Sequence, residues 1–264
     1  MSQSNNIICS IIHYLDNEVL PGHGYVVNVD TPETMTSAAS KFATDVGVLW
    51  KTTKQNWVYS APSGFGTNYG SGNYVYTPPV LDATSESLLI DTNYVNGYVR
   101  LSQQASAPTI QYSYKVYKVI DEFPEEAEQM ITPTIAVSFV DASKEGISIK
   151  TSTQPNTTIR RTYTIAIDIF ARSKHERRDL LDIIDASFSR NTDTVPFLII
   201  SDFSEKTPLL GNGDVNPEFD FIDQKLCAYS VEDLMKTSVQ TIEINEFKRY
   251  HGVITFSITT YGYV

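Results

Sequence analysis

The sequence predicts an α+β protein in which a mostly antiparallel sheet carries one packed amphipathic helix. Apolar side chains alternate along residues 160–172 and indicate a strand with one buried face, made by Tyr163, Ile165, Ile167 and Ile169. Ser173 and Glu176 directly after it have the spacing of a capping box. Apolar residues then follow at helical spacing: Leu180, Leu181, Ile184 and Phe188. A helix therefore follows this strand and packs across the sheet.

Turn residues and shifts in composition divide the chain into four predicted parts. Residues 1–24 contain an N-terminal helix, over about 5–20, that packs on the C-terminal module. Residues 25–120 form an inserted all-β module, and residues 121–131 an acidic connection. Residues 132–264 form an α+β module.

Short β-prone segments separated by turn residues predict a small β-sandwich or barrel for the inserted module. Asn96-Gly97 predicts either a hairpin or a two-residue turn at the edge of a longer strand. Residues 60–73 are rich in Gly, Ser and Asn and predict a loop. The predicted strands are 25–29, 45–50, 57–59, 74–76, 87–90, 94–101 and 110–116.

The C-terminal module is predicted to contain one helix, from Ser173 to about Arg190, and a set of strands. Residues 152–158 are a predicted polar connection, and residues 207–223 a long irregular segment. The predicted strands are 133–140, 146–150, 160–172, 195–200, 239–245 and 250–261.

The chain is acidic, with a net charge of −11 and a pI of about 4.8. Such a charge disfavours nucleic acid and anionic membranes, except where basic residues are grouped. No apolar segment is long enough for a membrane span, and the N-terminus lacks the pattern of a secretory signal. We therefore expect folding in a reducing cytoplasm, with Cys9 and Cys227 as buried free thiols.

No pattern predicts catalysis, a metal or a cofactor, so we predict that the protein is not an enzyme. Residues 211–220 alternate oxygen-bearing side chains, but they lack the central Gly and distal Glu of a calcium loop. The spacing of Asp179, Asp182 and Asp185 fits the solvent-exposed face of an amphipathic helix. The four histidines lack the spacing of zinc ligands: His13, His23, His175 and His251.

Several segments together resemble the tail terminator or tail completion proteins of tailed bacteriophages. Members of that group have an N-terminal helix, a Pro-led strand, a long strand that often opens with two arginines, a capped helix and a closing strand. The matching segments, in about half of the chain, are 7–20, 132–137, 160–169, 173–188 and 250–261. Residues 90–101 and 112–117 also look like a β module of phage neck and tail proteins, although a compact terminator has only a short connection there.

The resemblance implies a homo-oligomeric ring, commonly a hexamer, that caps the tail tube and joins the tail to the head. The implied partners are the tail tube protein, the head-to-tail connector protein, the sheath protein if the tail is contractile, and DNA in the lumen. The implied location is the virion neck, after assembly in the host cytoplasm. A head-to-tail adaptor or stopper protein is the alternative within this class.

A ring needs a heterologous interface, and we expect charged residues to supply its ion pairs. The predicted basic contacts are Arg160, Arg161, Arg172, Lys174, Arg177 and Arg178. The predicted acidic contacts are Asp121, Glu122, Glu125 and Glu126. If the basic residues instead point into a ring lumen, they contact the DNA that passes through it.

A rival function of another class is a glycan-binding β module on an α+β scaffold. Aromatic side chains in loops stack on sugar rings. The aromatic candidates for this role are Trp50, Trp57, Tyr59, Tyr69 and Tyr74.

Overall fold

The computed structural model describes residues 3–38, 46–58, 78–121, 132–150, 155–188, 197–201, 225–244 and 247–263. These residues form an α+β protein with mostly antiparallel sheets, as the sequence predicts. The chain divides into two compact units. Unit 1 consists of Met1–Asp16 and Val119–Val264, and unit 2 consists of Asn17–Lys118. The segments predicted over 60–73, 74–76 and 207–223 lie outside the described residues.

The described elements are, in chain order, α1 (Gln3–His13), β1 (Val26–Asn28), β2 (Glu33–Thr34), β3 (Thr36–Ser37), β4 (Leu49–Lys51), β5 (Val80–Leu81), α2 (Ala83–Glu86), β6 (Leu89–Asn93), β7 (Tyr98–Leu101), β8 (Thr109–Gln111), β9 (Ser113–Lys115), β10 (Lys118–Asp121), β11 (Thr134–Lys150), β12 (Pro155–Ala171), α3 (Lys174–Phe188), β13 (Phe197–Ser201), β14 (Lys225–Ile244) and β15 (Phe247–Tyr263). A π-helical segment, Tyr14–Val19, follows α1, and a short 3-10 turn covers Pro21–His23.

A six-stranded sheet in the order β10-β11-β12-β15-β14-β13 forms the frame of unit 1. Neighbouring strands from β11 to β13 pair antiparallel. On one face, which we call the helix face, the central strands bury alternate apolar side chains. This face carries Ile135, Val137, Tyr163, Ile165, Ile167, Ile169, Ile254, Phe256 and Ile258. The predicted apolar face of residues 160–172 is therefore correct.

The N-terminus of α3 is built from the residues that the sequence singles out. The Ser173 hydroxyl accepts a hydrogen bond from the Glu176 amide at 3.1 Å. The Glu176 carboxylate reaches back and accepts one from the Arg172 amide at 2.7 Å, one residue before the position that a capping box predicts. The helix buries Leu180, Leu181, Ile184 and Phe188 against the sheet, as predicted.

The largest difference from the predicted strands is β11. The sequence predicts two strands, 133–140 and 146–150, whereas β11 continues through both. A β-bulge at Val140 shifts the register between Phe139 and Asp141. Because of this extra residue, side chains do not alternate between the two faces continuously along β11, so the sequence pattern does not indicate a single strand. β12 likewise begins at Pro155, inside the predicted polar connection, because residues 155–159 pair with the end of β11.

Unit 2 has three small antiparallel sheets: β1-β9, β2-β8-β5 and β3-β4-β7-β6. Its described residues include a hydrophobic core cluster of buried side chains: Met35, Trp50, Trp57, Leu81, Val99, Leu101, Ile110 and Tyr112. Asn96-Gly97 does mark a hairpin, between β6 and β7, but the loop has four residues from Tyr94 to Gly97. Gly97 has a φ of +66°, which a residue with a Cβ rarely adopts.

Several predicted strands of unit 2 are shorter than the patterns suggest, and two of them show why. The strand predicted over 45–50 is present only as Leu49–Lys51, because residues 46–48 form a turn with Gly47 at a φ of +73°. The segment predicted over 110–116 is interrupted at Tyr112, between β8 and β9, and these strands belong to different sheets. Alternation along the sequence does not reveal that the strand changes sheet.

Candidate assembly surface

Helix α3 covers only part of the sheet of unit 1. The Arg177 guanidinium lies 3.5 Å from the His251 carbonyl oxygen, and the Phe188 ring lies 4.9 Å from the ring of Phe256. His251 pairs with Phe170 and Phe256 pairs with Ile165, so α3 spans these rows of paired residues. Residues 141–150 of β11 and 155–164 of β12 extend past its end, and residues 257–263 of β15 pair with β12 there. We call this extension the arm.

The start of this arm is exposed and partly apolar. Every residue from 139 to 145 is exposed, on both faces of the strand. Phe139 keeps 42% of its surface accessible and Val140 keeps 57%. Two large apolar side chains are therefore exposed next to each other on this strand. We call residues 139–145 the β11 edge.

Among the described residues, both outer sides of the sheet have stretches with no partner strand. β10 has four residues and β11 has seventeen, so β10 leaves most of the outer side of β11 without a partner strand among the described residues. On the opposite side, β13 pairs with β14 only over 225–230. Residues 231–244 of β14 have no outer partner in the described part of the chain, and Met235 there is 62% exposed. Such edges are templates for pairing with another chain.

The charges of the arm differ between its two faces. Lys144 lies directly opposite Arg161 in the strand register, and both are exposed. This row shares its face with Tyr163, because side chains alternate along each strand. Glu145 lies opposite Arg160, on the other face. One face therefore carries two adjacent cations, and the other carries a pair of opposite charges.

The predicted basic contacts in and before α3 have different environments. The Arg172 guanidinium forms an ion pair with Glu176 at 2.5 Å, so its charge is balanced within the same chain. Arg177 is half-buried, and its guanidinium reaches the His251 carbonyl. Lys174 and Arg178 are exposed on α3. The structure does not bring these residues together with the Lys144–Arg161 row.

Among the predicted acidic contacts, only Asp121 is described, and Glu122, Glu125 and Glu126 lie outside the described residues. Asp121 ends β10 and is half-buried. Burial, and then the charge of Asp121, raise the pKa of the Cys9 thiol to about 12. Cys9 is thus a buried free thiol, as predicted.

A buried polar cluster on the sheet face opposite the helix face was not predicted. The His251 Nε2 atom lies 2.7 Å from Asp168 Oδ1, and the imidazole stacks on the Phe170 ring at 4.8 Å. Its Nδ1 is buried without a hydrogen-bond partner among the described atoms. Asp168 and Phe170 share a face by alternation, but no sequence signal reveals that His251 pairs there. The contact with Asp168 and the stacking on Phe170 together fix the orientation of the imidazole.

Two of the five aromatic residues proposed for the rival glycan-binding function are buried. Trp57 is fully buried and Trp50 nearly so, in the core of unit 2. Neither indole is therefore available to stack on a sugar. Tyr59, Tyr69 and Tyr74 lie outside the described residues.

Within the described ranges, no three His, Cys, Asp or Glu side chains come close enough to hold a metal ion. Over the same ranges, no helix has both the length and the apolar character needed to cross a bilayer. No protein-family model matches the chain, and no curated protein matches it.

Proposed function

We propose that this protein is a subunit of a homo-oligomeric ring in the neck of a tailed bacteriophage, where it caps the tail tube and joins the tail to the head. The observation that carries the proposal is a pair of strand edges, one on β11 and one on β14, that have no partner strand among the described residues of unit 1. A ring requires two different surfaces on each subunit that fit one another, and these edges supply them.

The strand directions of unit 1 suit head-to-tail closure. Three antiparallel pairings separate β11 from β14, so these two strands run in opposite directions. In a ring, neighbouring subunits are related by rotation and keep the same orientation. The β14 edge of one subunit therefore meets the β11 edge of the next in antiparallel orientation, which is the orientation used throughout the rest of the sheet.

The positions of the two edges along their strands imply that neighbouring subunits are shifted relative to each other. The unpaired part of β11 lies toward the end of the arm, whereas that of β14 begins at Val231, opposite Ile258, and extends away from the arm. Pairing them requires each subunit to shift along the strand direction relative to its neighbour. A closed sheet requires such a shift, with strands tilted to its axis. The exposed Phe139, Val140 and Met235 side chains would be covered in that contact.

The mass of the purified protein in native buffer, measured over a range of concentrations, tests this proposal together with electron microscopy of the particles. We expect a multimer with an annular outline. The F139S/V140S variant should lower the assembled fraction. The V80S/I90S variant should not, because Val80 and Ile90 are exposed apolar residues of unit 2, outside the proposed contact. A wild-type chain that stays monomeric and forms no annular particle contradicts the proposal.

The tail tube protein, the connector protein and, in a contractile tail, the sheath protein are the proposed neighbours. The resemblance implies six subunits in the ring. The native mass of the particle, divided by the mass of one chain, gives this number directly. A stopper or adaptor ring would assemble in the same way, and incubation with isolated tails separates the roles. A terminator binds the open end of the tube and blocks further addition of tube protein.

A further inference from the structure

We propose that Asn96 is a site of covalent self-modification, at which the backbone nitrogen of Gly97 attacks the Asn96 side chain and converts it to aspartate and isoaspartate. The reaction takes place in the hairpin between β6 and β7 of unit 2, and it does not depend on the ring proposed above. Three features of this hairpin support the proposal: the exposed carboxamide, the unrestrained peptide group and the glycine that follows.

The reaction of an asparagine that precedes a glycine needs only water. The Gly97 nitrogen gives up its proton and bonds to Asn96 Cγ, and the side-chain nitrogen leaves with that proton as ammonia. One water molecule then opens the resulting succinimide ring. Water attack at Cγ gives aspartate, whereas attack at the main-chain carbonyl carbon gives isoaspartate, in which the backbone runs through Cβ and Cγ. The net change replaces an amide by a carboxylic acid.

The Asn96 carboxamide is accessible. Asn96 is exposed, and within the described residues no hydrogen bond holds its side chain. Asn93 in the same hairpin differs, because its carboxamide oxygen accepts a hydrogen bond from the Asn96 amide at 2.9 Å. The Asn96 side chain can therefore rotate between its staggered conformations until Cγ faces the Gly97 nitrogen.

The peptide group between Asn96 and Gly97 is the one that the reaction must turn. Backbone amides of the segment 52–57 hold the rest of the loop through three carbonyl oxygens, at distances between 2.7 and 3.1 Å. These acceptors are Tyr94, Val95 and Gly97. The Asn96 carbonyl oxygen and the Gly97 nitrogen have no hydrogen-bond partner in the described part of the chain. The reactive peptide group can therefore turn while the loop stays in place.

The fold requires a glycine at position 97. Gly97 has a φ of +66°, and a Cβ there would lie 2.7 Å from the Lys54 carbonyl oxygen and 2.9 Å from the Thr52 hydroxyl. A larger residue, which would slow the attack, does not fit this turn. Glycine also has no Cβ to shield its nitrogen, and it changes φ at little cost. The residue that permits the hairpin therefore also makes Asn96 reactive.

The two products have different effects on unit 2. Aspartate keeps the backbone unchanged and adds a charge at an exposed position. Isoaspartate adds one methylene group to the backbone between Val95 and Gly97, whose carbonyl oxygens are both bonded to the segment 52–57. The close approach of Lys54 and Thr52 to Gly97 leaves no space for this shift. We therefore expect the isoaspartate form of unit 2 to unfold at a lower temperature.

Mass spectrometry of the full-length protein, incubated for days in mildly alkaline buffer, tests the reaction. We expect Asn96 to be converted at least tenfold faster than Asn93, which precedes Tyr94, since glycine leaves the attacking nitrogen unshielded. Peptide fragmentation assigns the position, and methylation by an isoaspartate methyltransferase measures the isoaspartate. The chain in guanidinium chloride is the unfolded reference. An unchanged Asn96 in the folded protein, with conversion in the unfolded reference, overturns the proposal.

The Asn96→Gln variant separates this reaction from other changes during incubation. Glutamine keeps a carboxamide at the exposed position but would have to form a larger ring, which is slow. Thermal unfolding followed by fluorescence of Trp50 and Trp57 reports on unit 2. The incubated wild type should contain a lower-melting fraction that grows with the isoaspartate content, and incubated Asn96→Gln should not. The same fraction in both proteins overturns the assignment of the effect to position 96.

Asn96→Asp is the control for the added charge. Freshly purified Asn96→Asp should melt within the error of the fresh wild type, because it has the carboxylate without the extra methylene group. If it melts as low as the isoaspartate fraction, the charge and not the longer backbone destabilises unit 2, which overturns the effect proposed for isoaspartate.

Discussion

Gly252 sets how closely α3 approaches the sheet of unit 1. It lies in β15 opposite Ile169, in the centre of the helix face. A Cβ on this residue would lie 2.9 Å from Leu181 Cδ1 and 3.1 Å from Cγ of the same side chain. A glycine inside a strand often marks such a close approach. The Leu181 side chain occupies the space that a larger residue at position 252 would need.

We predict that Gly252→Ala lowers the free energy of unfolding by about 1–3 kcal/mol, because the new methyl group overpacks the contact with Leu181. Chemical denaturation of the wild type and the variant measures the loss. The control is the same change in a Leu181→Ala background, where the space is vacant and the loss should shrink. An equal loss in both backgrounds would show that Leu181 is not the cause.

Tyr112 in unit 2 gives a prediction about alkaline stability. Burial raises the pKa of Tyr112 to about 12, and its hydrogen bond to Glu33, at 2.5 Å, acts in the same direction. A raised pKa means that the folded chain holds the proton more tightly than the unfolded chain. This contribution to stability is complete below pH 10 and is lost as the pH rises to about 12.

Denaturation curves at pH 9 and pH 11 compare the wild type with Tyr112→Phe. The variant loses the hydrogen bond to Glu33 at both pH values, but it has no proton to lose at position 112. Its penalty relative to the wild type should therefore be smaller at pH 11 than at pH 9. A penalty independent of pH contradicts the assigned pKa. The other tyrosines are common to both chains and cancel in the difference.

At the scale of elements, the N-terminus of α3 depends on two side chains. Ser173 caps the Glu176 amide, and Glu176 in turn binds the Arg172 amide and guanidinium. We predict that Ser173→Ala destabilises unit 1 by about 1 kcal/mol, the usual value of an N-cap. Ser173→Asp retains an acceptor and should cost much less. Circular dichroism at 222 nm during thermal unfolding measures both variants.

In the arm, by contrast with Ser173→Ala, we predict a substitution that stabilises the chain. Lys144→Glu replaces a repulsive row with an attractive one across from Arg161. The free energy of unfolding of the monomer should rise by about 0.2–1 kcal/mol, the range for a cross-strand charge pair. Denaturant titration at low salt, below the concentration at which the chain assembles, measures it. Ser143→Glu, also exposed on the arm, is the control for adding an acidic residue.

The elements that the sequence predicts well are those whose signals are local. The capped start of α3 depends on four consecutive residues, and the buried face of β12 on simple alternation. The continuous β11 was missed because one extra residue, Val140, reverses the alternation halfway. The sequence also does not predict which strands pair when they are far apart along the chain. The contact between Asp168 and His251 therefore has no signal in either segment.

At the scale of the whole molecule, the sequence predicts the class but not the strand order. β12 and β15 are neighbours, although α3, β13 and β14 lie between them in the chain. The sequence does not predict this order. Only the order shows that β11 and β14 have edges on opposite sides of the sheet without a partner strand in the described part of the chain. The candidate surface thus follows from the topology, whereas its charged residues Arg160 and Arg161 were visible from the start.

The chain has two tryptophans, Trp50 and Trp57, and both lie in the core of unit 2. Their indole nitrogens donate to the carbonyls of Gly47 and Lys54. Tryptophan fluorescence therefore reports on the folding of unit 2 alone. The two longest helices, α1 and α3, lie in unit 1, so the helical circular dichroism signal reports mainly on unit 1. If the units melt independently, the two signals change at different temperatures. Where unit 1 assembles with other copies, only the ellipticity midpoint should rise with protein concentration.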